Sequence, residues 1–167
     1  MTDQPDTPAP VIFSPVGTIH SPFRDIAGMP IQPNGARGIC GSVVIFPQFG
    51  EGLRDLDGFE RIILIYAFHR CSDHRLMVTP FLDSVPRGIF ATRSPRRPNA
   101  IGISVVRLRE VNGTTLFVED VDVLDGTPLL DIKPYVPAFD AYAGSRCGWL
   151  EKVAGNAQTT RSDDRFR

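Results

Sequence analysis

The amino-acid sequence predicts an all-β, or mostly β, protein: a compact single-sheeted β-barrel with long ordered loops and few short helices. Three observations carry that expectation. Short apolar runs rich in β-branched and aromatic residues recur along the chain, and none has the length of a typical helix. The stretches between them are dense in the chain's 15 prolines and 15 glycines, which punctuate regular structure rather than extend it. Helical periodicity is almost absent. No strand–glycine-loop–helix unit occurs, which argues against a doubly wound nucleotide-binding fold. A small sheet leaves exposed edges unless it closes on itself, and a barrel removes them.

Residues 1–9 read as a flexible tail, acidic and proline-rich. A first strand is expected within residues 11–19, interrupted by Pro15 and Gly17. Residues 20–38 hold three prolines and three glycines and read as a long loop. Residues 41–46 form a short strand stopped by Pro47, and residues 53–56 a single helical turn. Residues 61–69, RIILIYAFH, are the strongest apolar run and predict a central strand buried on both faces. Residues 87–99 set Arg87, Arg93, Arg96 and Arg97 among Gly88, Pro95 and Pro98, a stiff basic loop.

Residues 103–111 and 115–124 flank Asn112-Gly113, a pair that readily takes the left-handed angles of a type I′ turn. Both flanks alternate apolar and polar residues over part of their length, as strands with one wet face do. Residues 125–137 hold Gly126, Pro128, Pro134 and Pro137 and read as a further ordered loop. Residues 155–167 are polar and expected to fray. Phe13, Phe46, Ile63, Ile65, Phe117 and Val121 are the simplest core candidates, and Trp149 would pack the C-terminal segment against the barrel or a partner subunit. The organisation predicted is one barrel domain over residues 10–150, between a tail at 1–9 and a polar tail at 151–167.

Composition narrows function. Hydrophobic content of 42% and charged content of 22% fit a single folded domain. The net charge of −1 gives no global signal for nucleic acid, although a local basic patch would suffice. The basic residues are sixteen arginines and two lysines. Arginine suits bidentate contact with phosphate or carboxylate, and a codon bias would give the same count. The three cysteines, Cys40, Cys71 and Cys147, form neither a CxxC pair nor a disulfide framework. Cys71, Asp73 and His74 are neighbours in a loop, a proximity more often incidental than metal-binding, and no metal is expected. The N-terminus lacks the basic and apolar regions of a signal peptide, and no run of apolar residues is long enough to span a membrane. The expected location is the cytoplasm.

Several stretches occur together in a specific order: Gly17 to Phe23 (GTIHSPF), Gly58-Phe59 through Phe68-His69, Ala91 to Pro95 (ATRSP), Arg97-Pro-Asn99 with Ile101 to Ser104 (IGIS), Asp122 to Thr127 (DVLDGT) and Asp131 to Tyr135 (DIKPY). In this combination the chain resembles the TsaA-like family, whose best-known member is the tRNA methyltransferase TrmO. The resemblance covers about residues 11–142. Longer bacterial members carry an extra C-terminal domain, whereas this sequence ends soon after DIKPY. The resemblance implies a dimeric β-barrel that holds S-adenosylmethionine near the subunit interface. It also implies methylation of N6 of N6-threonylcarbamoyladenosine at position 37 of tRNA.

Carried over motif by motif, the cofactor contacts fall on Ser21, Pro22 and Phe23, on His69 and Arg70, on Arg93 and Ile103, and on Asp122, Val123, Leu124 and Asp125. Position 70 often carries an acidic or other residue in the family, where this sequence has Arg70. Arg96, Arg97, Asn99, Lys133 and Tyr135 are the candidates for contact with the substrate.

The chemistry asks for specific groups. Methyl transfer needs the acceptor aligned behind the methyl carbon, and positioning supplies much of the rate. An acylated adenine N6 is a poor nucleophile, so a base that removes its proton would help. His69, Asp122, Asp125 and Asp131 are the candidates. A histidine closing an apolar strand can titrate near neutrality or serve structure alone. The arginine cluster suits RNA phosphates, the cofactor carboxylate or the threonyl carboxylate, or it forms a solvated loop. Asn99 reads a base edge or locks its own loop. Asp122 and Asp125 suit ribose hydroxyls or the cofactor's amino group, or mark an Asp-Gly turn. Asp131 and Lys133 share one face of an extended segment and suit an ion pair. Two other readings stay open: an S-adenosylmethionine-dependent enzyme acting on a small molecule, and a non-catalytic dimeric module that binds cofactor or RNA.

Overall fold

A computed structural model describes residues 9–163 of the chain. Among these residues the strands are β1 (Gly17–His20), β2 (Cys40–Ile45), β3 (Arg61–Ala67), β4 (Met77–Val78), β5 (Arg87–Gly88), β6 (Ile101–Asn112), β7 (Thr115–Glu119) and β8 (Thr127–Pro134). Six of them close an antiparallel ring in the order β1-β2-β7-β6-β3-β8, with β8 returning to pair with β1. The barrel is therefore all-β. Among the described residues, helix is confined to one α-helical turn, Pro137–Asp140, and short 3-10 segments.

Alternation along each strand fills the ring with branched side chains. Ile19, Val43, Ile62, Leu64, Val106, Leu116 and Leu129 are wholly enclosed. A barrel of this size has an interior filled by side chains, so bulky aliphatic residues at inward parity hold it together. β3 buries Ile62, Leu64 and Tyr66 inward and leaves Ile63 and Ile65 half-buried outside, so it is buried on one face rather than two. The all-apolar run conceals that parity. Of the core candidates, Ile63 and Ile65 therefore lie on the outer face, Phe117 is exposed at outward parity in β7, and Phe13 and Phe46 are exposed outside the strands; Val121 is the one in the core.

The β6–β7 hairpin forms as expected, with its turn one residue later. Asn112 pairs with Thr115, leaving Gly113-Thr114 as the loop. Gly113 alone takes a positive φ, 57°, so glycine fills the first central position instead of the second. β7 stops at Glu119, short of the expected Leu124, because Asp120 turns into the left-handed region with φ 70°. The Asp120 carboxylate then accepts the Gly38 amide at 2.9 Å and pairs with Arg61 at 3.2 Å, which anchors the turn.

Residues 125–137, expected as a loop, contain β8. Pro128 stands one residue inside its start and Pro134 is its last residue. Proline is tolerated towards strand ends, where a ladder amide is not required. The first strand begins only at Gly17, after Pro15. The expected helical turn at 53–56 is replaced by 3-10 segments over Pro47–Leu53 and Leu56–Gly58. The C-terminal stretch expected to fray is docked as far as it is described. Ser162 exchanges backbone bonds with Gly28 and Met29 at 2.8 and 2.9 Å, and Ala157 is buried. The tail expected at 1–9 lies, except for Ala9, outside the described residues.

Candidate functional site

Between β3 and β6 the chain makes an excursion, residues 68–100, that carries the β4–β5 ladder and its own small apolar cluster of Val78, Ile89 and Phe81. A cleft of about 920 Å³ opens where this excursion, the ends of β3 and β6, the 122–124 loop, residues 26–34 and the docked C-terminal segment converge. That volume suits a small-molecule ligand.

The cleft's chemistry starts inside the barrel. Gly102 pairs with Tyr66, and a Cβ there would lie 2.2 Å from the Tyr66 ring, so the ring lies directly over the glycine. Phe68 meets that ring edge to face at 5.4 Å. The Tyr66 hydroxyl reaches Ser104 Oγ at 3.1 Å, and Ser104 donates its only hydroxyl proton to Asp122 Oδ1 at 2.6 Å. Tyr66 must therefore donate to Ser104, which orders the three groups as one relay ending on a carboxylate. Burial pushes the Asp122 carboxyl up from 3.8 to about 6, against the lowering effect of the Ser104 bond. Burial also raises the Tyr66 phenol well above its ordinary range.

His69 follows β3 on the same wall. Burial, and then the neighbouring Arg70 charge, lower its pKa, so the ring is neutral at physiological pH. Thr127 Oγ1 gives its proton to the Leu124 carbonyl at 2.7 Å and meets His69 Nδ1 at 3.4 Å. Nδ1 is then the protonated nitrogen, and Nε2 keeps the lone pair.

The cleft brings together His69, Arg70, Arg93, Arg97, Ile103, Asp122, Val123 and Leu124 from the predicted set. Ser21, Pro22, Phe23 and Asp125 do not line it. They tie the end of β1 to the 122–125 loop: Ser21 Oγ donates to Val123 O at 2.5 Å, and Asp125 accepts the Ser21 amide at 3.1 Å. That amide, with His20 and Arg24 behind it, lowers the Asp125 pKa. Arg96 is buried and pairs with Asp73 at 3.3 Å, while Arg97 donates to Ile89 O and Thr92 O at 3.2 and 2.7 Å. Two of the three clustered arginines thus brace their own loop. Arg93 stands exposed with its guanidinium on Gln32 at 2.9 Å.

Asn99 is exposed and outside the cleft. Asp131 and Lys133 form the expected ion pair at 2.8 Å, also outside it, and Tyr135 lines a smaller pocket of about 370 Å³ beside Arg61 and Asp120. The three cysteines are free, and no cluster of metal-ligating side chains occurs among the described residues. No helix among them is long and apolar enough to cross a membrane.

Sequence reasoning did not single out the roles of Tyr66, Ser104 and Thr127. A signal existed for Ser104: it is the polar residue at inward parity in a strand whose other inward side chains include Val106 and Leu108.

A family model described as the tRNA-methyltransferase O N-terminal domain matches residues 18–141. A probable S-adenosyl-L-methionine-binding protein of Pyrococcus abyssi is 52% identical over 159 residues, covering 95% of this chain and 86% of that protein. The tRNA (adenine(37)-N6)-methyltransferase of Mus musculus is 34% identical over 142 residues, covering 78% of this chain and 32% of its own length. A crystal structure of TrmO from Pseudomonas aeruginosa superposes with a TM-score of 0.72 at 38% identity, covering 84% of this chain and 63% of that one. The chain therefore spans less than two thirds of the solved structure and about a third of the mouse protein. Trp149, Leu150 and Ala157 contribute to the cleft from beyond the stretch that the family model matches.

Proposed function

Because the chain belongs to the family of the tRNA-methyltransferase O N-terminal domain, we propose that it binds S-adenosylmethionine in the cleft and methylates N6 of threonylcarbamoyladenosine at position 37 of tRNA. The observation that carries this reading is the Asp122 carboxyl, desolvated and held on the Tyr66–Ser104 pair at the wall of the cleft.

The cleft's residues fit the cofactor's chemistry. Phe68, Ile103 and Leu124 offer apolar surface for an adenine, Asp122 an acceptor for hydroxyl or ammonium groups, and Arg93 a partner for a carboxylate. When bound, the cofactor supplies an electrophilic methyl group on a sulfonium. Asp122 acts as the base that takes the N6 proton. At about 6 its pKa makes it more basic than an ordinary carboxylate while leaving it mostly ionised at neutral pH. Ser104 fixes its orientation, and the apolar walls exclude water. His69, neutral with Nε2 free, is the alternative acceptor of that proton, and substitution separates the two.

The test is transfer of labelled methyl to tRNA from a strain lacking this gene, followed by nucleoside mass spectrometry. Methylated threonylcarbamoyladenosine that depends on the protein supports the reading. No transfer, with cofactor binding established by calorimetry, overturns the tRNA acceptor and redirects the search to small molecules. Arg93→Ala should weaken cofactor or acceptor binding about 10-fold or more, as loss of a charge-assisted bond does. The melting temperature should hold, since Arg93 is exposed and braces nothing in the core. Unchanged affinity and turnover would remove Arg93 from the site.

A further inference from the structure

Phe90 is 77% exposed, yet the turn that carries it is among the most firmly tied in the excursion. It sits in the 3-10 turn Ile89–Ala91, whose carbonyls are braced from three directions. Arg97 donates to Ile89 O and to Thr92 O, Thr92 Oγ1 donates to Ile89 O at 2.9 Å, and Trp149 Nε1 donates to Ala91 O at 2.9 Å. Ile89 beneath it is buried. Folding explains the brace and the buried Ile89; it does not explain an apolar ring left exposed on the lining of the cleft.

Two cation–π contacts flank the turn. The Arg97 guanidinium lies 5.9 Å from the Phe90 ring centroid, and that of Arg87 lies 5.5 Å from the Trp149 ring. Arg93 is exposed three residues further on. Arg97 is held by the turn's carbonyls and Arg87 by Asp83 at 2.7 Å, so Arg93 is the guanidinium placed to meet a phosphate. A rigid aromatic face beside an exposed guanidinium is an arrangement by which proteins hold unpaired nucleotides: the ring stacks on a base and the cation meets a flanking phosphate.

We infer that Phe90 is a stacking platform for an unpaired RNA base next to the methyl acceptor. The inference rests on the RNA reading of the proposed function and adds a positioning residue to it. The platform places the loop so that the acceptor base enters the cleft towards Asp122. An apolar ring carries no sequence preference by hydrogen bonding, so the contact selects for an unstacked base rather than for its identity.

The experiment compares wild type, Phe90→Ala and Phe90→Trp. Binding of a synthetic anticodon stem–loop RNA is followed in all three by anisotropy of a label on the RNA. In wild type and Phe90→Ala it is also followed by emission of Trp149, the natural chain's single tryptophan. Cofactor affinity is read by calorimetry and oligomeric state by light scattering. Expected is a loss of RNA affinity of about 10-fold or more in Phe90→Ala, recovery in Phe90→Trp, and no change in cofactor affinity or mass. RNA affinity unchanged in Phe90→Ala overturns the platform. A loss confined to cofactor affinity overturns it by placing the ring in the cofactor site. A change of oligomeric state overturns it by making the ring a subunit contact. Wild-type protein that binds the RNA without methylating it overturns the acceptor assignment alone, and the affinity series still decides the platform. Wild-type protein that binds no RNA overturns both.

Discussion

Asp122→Asn should slow methyl transfer at least a hundredfold, on the order of 10²–10⁴-fold, while making the protein harder to unfold above pH 6. Loss of a positioned base lowers rates by about 10²–10⁴-fold, read here by single-turnover transfer of labelled methyl. The stability change has the opposite sign. The folded-state pKa of Asp122 is raised from 3.8 to about 6, so the folded protein holds this proton more tightly than the unfolded chain. That contribution is fully present below the unfolded value and is lost as pH rises through the folded one. Between pH 4 and pH 7 the group thus removes on the order of 2–3 kcal/mol of stability.

Asparagine carries no charge to desolvate, and its side-chain oxygen can still accept the Ser104 hydroxyl. Melting curves at pH 5 and pH 8 should therefore diverge less in the variant than in wild type. A variant that loses activity and melts lower at pH 8 would show that Asp122 holds structure rather than a proton. His69→Gln, with full activity retained, would leave Asp122 as the proton acceptor.

Gly102→Ala should be the most damaging single methyl group in the barrel near the cleft. Its Cβ would lie 2.2 and 2.6 Å from atoms of the Tyr66 ring and 2.9 Å from Phe68, and the two rings are already packed against each other. Tyr66 is buried with its hydroxyl on Ser104, so the ring can retreat only by giving up that bond and moving into the cleft it lines. Overpacking of this kind destabilises by about 1–3 kcal/mol or more, a fall in melting temperature of roughly 3–10 °C for a chain of this size. Because Ser104 lies on the same strand, transfer should fall with it even where the variant stays folded. A melting temperature within a degree of wild type would show that Tyr66 moves aside freely.

Local pattern is enough for the fold class and for the β6–β7 hairpin, because alternation around Asn112-Gly113 is a short-range signal. It is not enough to choose the turn's frame, since one left-handed glycine serves either position. β8 is hidden by Pro128 and Pro134, which read as loop punctuation when their place at the strand ends is unknown. β3 is visible as a strand, but with apolar residues at both parities its inner face cannot be read from sequence.

The site divides the same way. His69, Arg93, Ile103 and Asp122 stand out through their motifs and do meet at one cleft. Arg96 and Arg97 stand out as a charge cluster, and only the fold reveals Asp73 and the carbonyls of residues 89 and 92 as their partners. The relay through Tyr66 and Ser104 joins residues 38 apart in the chain to a carboxylate 18 further on, a distance no periodicity spans.

β8 is the strand that pairs with β1 on one side and β3 on the other. Without it, the remaining five form an open sheet with two bare edges. During synthesis the growing polypeptide therefore exposes Ile19 and Leu64, later wholly enclosed, until residues 127–134 have left the ribosome. The cleft, which is lined by the ends of β3 and β6 and by the loop leading into β8, therefore comes into being only with the closing of the ring.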